Sequence, residues 1–332
     1  MKQLSHFNER LTMEDESLGG AIMTSRVERK KKKKRAVWKW ILLIFAIVLA
    51  AGVAYAAKMY IDLKSTVQNI HEPIDSEKRE DDLTFHEQEP FSVLLLGVDE
   101  RPGDGGRSDT MIVLTVNPET NSTKMLSIPR DTYTEIVGHG TSDKINHAYA
   151  YGGPKMAVQS VENLFDIPID FFVQVNMESF KEIVNAVGGV DVVSPLDFDL
   201  EGYHFNKGPL TLNGDEALKY VRMRKEDPRG DWGRQDRQRQ VVEAVMKKGA
   251  SVSTLVNYRP IFDAIQNNFK TNMTFDEMVS IQKHYKDAAK QLEQLHLEEG
   301  EGQFIGNIWY YMPNEEELNE VIHTLREHLE LQ

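Results

Sequence analysis

The chain has no cysteine in 332 residues. That excludes disulfides and thiolate metal sites. It has no Walker A motif, and Gly103–Gly106 precedes an apolar β-type run rather than a helix, so a nucleotide-cradling loop is a poor reading. It has no G-x-S-x-G elbow and no internal repeat. Positive charge is scarce beyond the first forty residues. Residues 1–40 hold 11 Lys+Arg against 5 Asp+Glu, a balance of +6; the rest hold 28 against 47, a balance of −19. The overall composition, 40% hydrophobic and 27% charged, is that of a globular protein, and the length allows one large domain or two small ones.

The early basic excess is concentrated in Arg26–Arg35, RVERKKKKKR, and an apolar stretch follows at once over residues 36–57. Ile41 to Ala57 is an uncharged run of 17 residues, with Trp38 and Trp40 before it as interfacial anchors. This pattern predicts a transmembrane anchor with its basic flank in the cytoplasm and the C-terminal bulk outside the cell. The competing reading is a cleaved signal, because Ala54-Tyr55-Ala56 has the small-x-small form. A basic patch for nucleic acid fits poorly beside so apolar a run, and residues 1–35 are too short and irregular for a helix-turn-helix. The expected organisation is a cytoplasmic tail at 1–35, an anchor at 36–57, an extracellular stalk at 58–90 and an extracellular domain at 91–332. Within the stalk, Tyr60, Leu63, Val67 and Ile70 form a short helical stripe, and residues 72–89 are acid-rich without an apolar pattern.

The domain is organised around residues 91–131. Ser92–Val98, Met111–Val116 and Lys124–Ile128 read as strands, with a turn at Pro118, Asn121 and Ser122. Each strand ends at charge: Asp99, the Arg107–Asp109 pair, and Arg130–Asp131. Strands and helices then alternate. A helix starts at Pro154, another runs from Met177 to Val187 and stops at Gly188-Gly189, and Asn213 caps a third. A long helix covers about Arg234 to Lys248. Thr274 to Glu277 and Asn314 to Glu317 read as capping boxes. The last helix carries a core stripe of Leu318, Val321, Ile322, Leu325 and Leu329. The order implies an α/β fold, an α/β/α sandwich around a mixed central sheet.

Asp99 and Asp109 flank one loop and can converge on a cation. Two carboxylates without nearby His or Cys favour Mg²⁺ or Mn²⁺. Arg107, Arg130, Arg222, Arg224 and Arg234 all end regular elements, and guanidinia beside such a metal describe a diphosphate clamp. The alternative is ordinary surface pairing, with Asp227, Asp231 and Asp236 as partners. His147 is either a base or a structural turn residue. Glycoside hydrolysis would use paired acids but leaves the arginines without a role.

Seven blocks occur in an order that resembles the LytR–CpsA–Psr family. They are Leu95–Asp99, Gly106–Thr110, Ser127–Asp131, Lys144–Tyr149, Gly188–Asp191, Leu212–Leu218 with Tyr220, Arg222 and Arg224, and Arg234–Gln238. The match spans about Phe91 to Met246 and is most similar to the family's teichoic acid transferases. The resemblance implies a phosphotransferase that moves a glycopolymer from a polyprenyl-diphosphate carrier to peptidoglycan. It implies Mg²⁺ on Asp99 and Asp109, with Arg107, Arg130, Arg222, Arg224 and Gln238 around the diphosphate and Lys144 and Arg234 close by. It also implies an apolar tunnel for the lipid tail. Asp131 is a candidate base or an orienting group for an arginine. Two other classes fit the same features: a polyprenyl-diphosphate hydrolase, and a non-catalytic membrane-anchored attenuator of transcription.

Overall fold

A computed structural model describes residues 45–50, 52–55, 57–79, 83–85, 87–99, 106–249 and 269–331. The basic tail, the start of the anchor, most of the glycine loop and residues 250–268 lie outside the described residues. The chain divides into two compact units between Asp62 and Leu63. Helix α1, Phe45–Ile70, crosses that division. Among the described residues it is the one helix long and apolar enough to cross a membrane, with 26 residues, mean hydropathy 1.5, and none of its most apolar window buried. At 1.5 Å per residue it measures about 39 Å, more than the ~30 Å hydrocarbon core of a bilayer.

In the second unit, a six-stranded sheet has the order β11-β6-β1-β2-β3-β12. Its strands are β1 (Phe91–Asp99), β2 (Arg107–Asn117), β3 (Ser122–Ser127), β6 (Phe171–Asn176), β11 (Phe269–Thr271) and β12 (Gln291–Leu295). β1–β2, β2–β3 and β6–β11 are antiparallel, whereas β1–β6 and β3–β12 are parallel, so the sheet is mixed as expected.

The period-2 alternation of the strands builds both faces. Leu94, Leu96, Val98, Met111, Val113, Leu126 and Ile128 pack on one side with α2 (His147–Phe165) and the C-terminal helix. Phe91, Val93, Ile112, Leu114, Val116 and Met125 pack on the other, where Tyr285, Ala288, Val242 and Met246 meet them. α3 (Met177–Ala186), α4 (Gly214–Arg222), α5 (Asp231–Gly249), β7 (Val190–Ser194), β8 (Phe198–Leu200), β9 (Tyr203–Phe205) and β10 (Gly208–Leu212) enclose a third apolar cluster around Tyr220 and Val241. Three elements complete the architecture: α6 (Phe275–His284), the hairpin β13 (Glu301–Ile305) and β14 (Ile308–Met312), and α7 (Glu315–His328). A further hairpin, β4 (Tyr133–Ile136) and β5 (Thr141–Lys144), links the end of β3 to α2.

Several local readings differ from the sequence expectation for identifiable reasons. α2 begins at His147 rather than Pro154, because non-helical Gly152 and Gly153 absorb the break that the proline imposes. Thr274–Glu277 is a capping box as read, and the Asn213 cap proves to be one as well, completed by Glu216. Asn314 caps α7, but the Glu317 carboxylate turns away to accept the backbone N–H groups of Glu298 and Glu299 at 2.8 and 3.0 Å. The stretch read as a stalk is folded onto the domain from Leu63 onward. Val67, Ile70 and Ile74 are buried. Arg79 grips Asp170 at the entry to β6 through two hydrogen bonds of 2.7 Å, and the same carboxylate accepts the Ser92 N–H of β1 at 2.8 Å. The acid-rich composition hid this pairing, whose partner is 91 residues away.

α7 is stapled to the sheet by His328, whose ring nitrogens lie 2.8 Å from Thr115 Oγ1 and 2.8 Å from Ser122 Oγ. A neutral imidazole satisfies both, donating from one nitrogen and accepting at the other. Burial, reinforced by the charge of Lys124, pushes the ring down to about 4 against the opposing pull of Glu293 and Glu330. An unfolded histidine binds its proton near ~6.5. Between those values the unfolded chain holds more protons, so stability falls as pH drops from about 6.5 to about 4. Thermal unfolding should therefore lose ground more steeply across that window in the wild type than in His328→Gln. Parallel curves would mean the ring is not held neutral.

Candidate active site

The charged residues at the strand ends are gathered by a β-bulge. β1 and β2 stay in register from Phe91↔Val116 to Gly97↔Thr110, then shift so that Val98 faces Ser108 and Asp99 faces Arg107. Asp109 is the extra residue, and a bulge re-aims the side chain it carries. Gly97 permits the close approach there: a Cβ would sit 2.9 Å from Thr110 Cβ.

Asp109 then ties three segments together. Its Oδ1 accepts Arg130 Nη1 at 3.1 Å and Asn146 Nδ2 at 3.3 Å, and its backbone oxygen accepts Arg234 Nη1 at 3.1 Å. Arg130 follows β3, Asn146 precedes α2 and Arg234 lies in the first turn of α5. Arg234 also forks onto Asp231, with Nε–Oδ1 at 2.9 Å and Nη2–Oδ2 at 3.1 Å. Gln235 Nε2 adds a bond to Asp231 Oδ2 at 3.3 Å.

Asp131 takes Lys144 Nζ on Oδ1 at 2.6 Å, while its Oδ2 is 3.6 Å from Arg130 Nε. With both carboxylate oxygens facing cations, its geometry is that of an orienting group. Burial would lower the Arg130 guanidinium, but Asp109, Asp231 and Asp131 outweigh it and raise it above the usual range. Burial pushes the Asp231 carboxyl up, yet Arg234 and Arg130 together hold it below the ordinary value. Charge at this site is thus shared among its members.

The remaining sequence candidates lie around this core. Arg224 Nε is 3.6 Å from Asp231 Oδ1, which brings it into the group. Arg222 faces Glu201 of the β8–β9 turn at 3.9 Å instead. Arg107 is exposed beside Asp99, and Gln238 is buried one turn along α5 from Arg234. The structure therefore unites Asp109, Arg130, Asp131, Lys144, Arg224 and Arg234, sets Asp99 and Arg107 as a facing pair where β1 ends and β2 begins, and turns Arg222 toward Glu201 rather than toward an acid of this group.

Sequence reasoning passed over Asn146 as a functional group and treated Asp231 only as a surface partner. A signal for both lay beside the motif residues, since Asn146 stands in the Lys144–Tyr149 block and Asp231 is three residues before Arg234. His147 is oriented by Asp143, with Nδ1 2.9 Å from Oδ2.

The donor set suits a hard cation. Asp99 and Asp109 are half-buried oxygen donors, and Asn146 Oδ1 is buried close by without a hydrogen-bond partner. Among the described residues no three acidic or histidine side chains converge on one point. An ion held here would take most ligands from water and substrate, as Mg²⁺ does.

Arginines elsewhere are spent on structure. Arg237 is fully buried, giving Nη1 to Asp227 Oδ2 at 2.6 Å and Nη2 to the Met223 carbonyl at 2.6 Å. Arg239 is committed to Asp236 and Gln294. Arg222 and Arg224 are about half-exposed, at 46% and 53%, and their partners lie beyond hydrogen-bond distance. Their forks remain available to a ligand.

Oxygen donors and half-exposed guanidinia gathered at the strand ends of an α/β/α domain form a site suited to an anionic ligand. The chain belongs to the LytR_cpsA_psr (LytR–CpsA–Psr) family, whose model matches residues 57–327. It is 52% identical over 306 residues to the polyisoprenyl-teichoic acid–peptidoglycan teichoic acid transferase TagU of Bacillus subtilis (strain 168), covering 92% of this chain and 99% of that one. The crystal structure of B. subtilis TagU superposes with a TM-score of 0.60 at 51% identity, covering 74% of this chain and 98% of that one. A structure of TagT bound to LIIa-WTA gives 0.68 at 33% identity, covering 79% and 100%.

The buried Arg237–Asp227 pair fixes the loop that delivers Arg224 and Arg234. Gly233 lies against it: a Cβ there would come within 1.8 Å of Asp227 Oδ2. Gly233→Ala should displace that carboxylate and strand a buried guanidinium. The expected loss is about 3 kcal/mol or more of stability in denaturant unfolding. A variant with wild-type stability would contradict this packing.

Proposed function

We propose that this chain is a membrane-anchored phosphotransferase that moves a teichoic-acid-like glycopolymer from a polyprenyl-diphosphate carrier onto peptidoglycan, outside the cell. The observation that carries the reading is the contrast among arginines. Arg130 and Arg234 are fixed by Asp109 and Asp231, while Arg107, Arg222 and Arg224 are exposed or loosely held and free to receive phosphate oxygens. The relatives named above supply the substrate class.

In the reaction, a hydroxyl oxygen of the acceptor forms a bond to the phosphorus attached to the polymer. The bond from that phosphorus to the bridging oxygen breaks, polyprenyl phosphate leaves, and the hydroxyl proton is lost. Guanidinia already positioned by carboxylates stabilise charge on the phosphate oxygens without reorganising during the step. Asp131 aligns Arg130 and Lys144, and Gln238 would add an amide to the substrate contacts. Asp99 and Asp109 would hold Mg²⁺ or Mn²⁺, which supplies further neutralisation of the diphosphate when bound.

Transfer from a polyprenyl-diphosphate donor, followed with peptidoglycan and with water as competing acceptors, tests this directly. Asp99→Ala and Asp109→Ala should abolish transfer in folded protein, and added Mg²⁺ should raise the melting temperature of the wild type only. Arg222→Lys and Arg224→Lys retain charge but lose the planar fork, so each should slow transfer by about tenfold, on the order of 1–3 kcal/mol. Near-normal rates in both lysine variants would remove these arginines from the site. Release of polymer to water alone would make the protein a diphosphate hydrolase.

A further inference from the structure

Beside the clamp, a second cluster is organised by Asp143. This carboxylate is saturated: Oδ2 accepts His147 Nδ1 at 2.9 Å and the Tyr151 hydroxyl at 2.6 Å, while Oδ1 accepts the Lys144 N–H at 2.7 Å and the Tyr310 hydroxyl at 3.3 Å. Burial pushes Asp143 up, but hydrogen bonds from His147, Tyr151 and the Lys144 backbone bring it down to about 2, so it stays ionised. With its hydrogen given to Asp143, the exposed Tyr151 oxygen keeps a lone pair for a partner, whereas Tyr310 is buried and helps to hold Asp143 in place. With Nδ1–H donated, His147 keeps Nε2 as an acceptor.

Aromatic rings accompany these acceptors. His139 stacks on Tyr151 at 4.0 Å and 3°, His147 meets Tyr151 edge-on at 6.0 Å, and Tyr133 meets Tyr310 edge-on at 5.1 Å. Tyr151 is 44% exposed and His139 is exposed, so the stacked pair stands in solvent. The cluster is continuous with the proposed reaction site. Lys144, which holds Asp131, lies 5.8 Å over the Tyr310 ring, and Tyr311 donates its backbone N–H to the Asp131 carbonyl at 2.9 Å.

We propose that the Tyr151–His139 stack, with the acceptor atoms of Tyr151 and His147, is the subsite that docks the glycan of the acceptor. A sugar offers an apolar C–H face to an aromatic plane and hydroxyl donors to neighbouring oxygens and imidazole. The cluster presents that complement: a flat ring pair, acceptors oriented by one saturated carboxylate, and direct adjacency to Arg130 and Asp131. A phosphate would find no free donor between these two acceptor groups.

The identity of the glycan as the acceptor rests on the transferase reading, so binding and turnover are measured separately. The first measurement titrates a soluble tetrasaccharide of alternating N-acetylglucosamine and N-acetylmuramic acid into the full-length chain in detergent, without donor. Tyr151→Ala should weaken this binding by about tenfold and Tyr151→Phe, which keeps the ring, by less. The second compares KM for the acceptor with kcat at saturating acceptor. Tyr151→Ala should raise the acceptor KM by a similar factor and leave kcat within about twofold. Melting temperatures are taken alongside, and the exposed position of Tyr151 makes misfolding simple to detect. Tyr151-dependent glycan binding by a protein that shows no transfer would uphold the subsite and sink the transferase reading. Unchanged glycan affinity and acceptor KM in Tyr151→Ala would overturn the subsite while leaving transfer intact.

Discussion

Asp109 is engaged through both its side chain and its main chain. Its carboxylate holds Arg130 and Asn146, and its carbonyl holds Arg234. Three segments distant in sequence are thereby referenced to the start of β2. The bulge that aims Asp109 lies in the best-buried pair of strands, where Leu94, Leu96, Val113 and Met111 are almost wholly covered. A site built on such a sheet inherits its rigidity, and any site that stabilises developing charge gains most from groups that need not move.

The second constraint is electrostatic. Several guanidinia in a small space repel one another, and burial adds a desolvation cost to each. Asp109, Asp131 and Asp231 offset this by being shared: Arg130 feels all three, and Asp231 serves Arg234 and Arg224. The arginines divide by partner as well as by distance. Arg237 and Arg79, held at 2.6 and 2.7 Å by Asp227 and Asp170 outside the Asp109 group, are structural; Arg222 and Arg224, 3.9 and 3.6 Å from a carboxylate, do not spend their forks on hydrogen bonds. This sorting bears directly on which substitutions should alter turnover and which should alter stability.

The parts of the molecule legible in sequence were those set by local rules. Short apolar runs in β1 to β3 announced buried strands, and Asn213 and Thr274 announced helix starts through a spacing that backbone geometry imposes. The site's motif residues were legible as charges at strand ends, but the bulge at Asp109 was not, since nothing in RSDT marks a register shift. The fate of Glu317 was equally hidden, because its carboxylate answers two backbone donors 18 and 19 residues away. Arg79 looked like stalk composition until Asp170 appeared as its partner. Tyr310 lies 167 residues from Asp143, so the aromatic cluster beside the clamp had no local signature at all.

The central claim is that Arg130 and Arg234 act as one unit because Asp109 joins them. A double-mutant cycle on the transfer rate, with Arg130→Lys, Arg234→Lys and the pair, measures this most directly. The account predicts strong non-additivity: the double variant should be little worse than the poorer single variant, with a coupling energy of about 1 kcal/mol or more. Strictly additive losses, within ~0.3–0.5 kcal/mol, would show two independent arginines and contradict it.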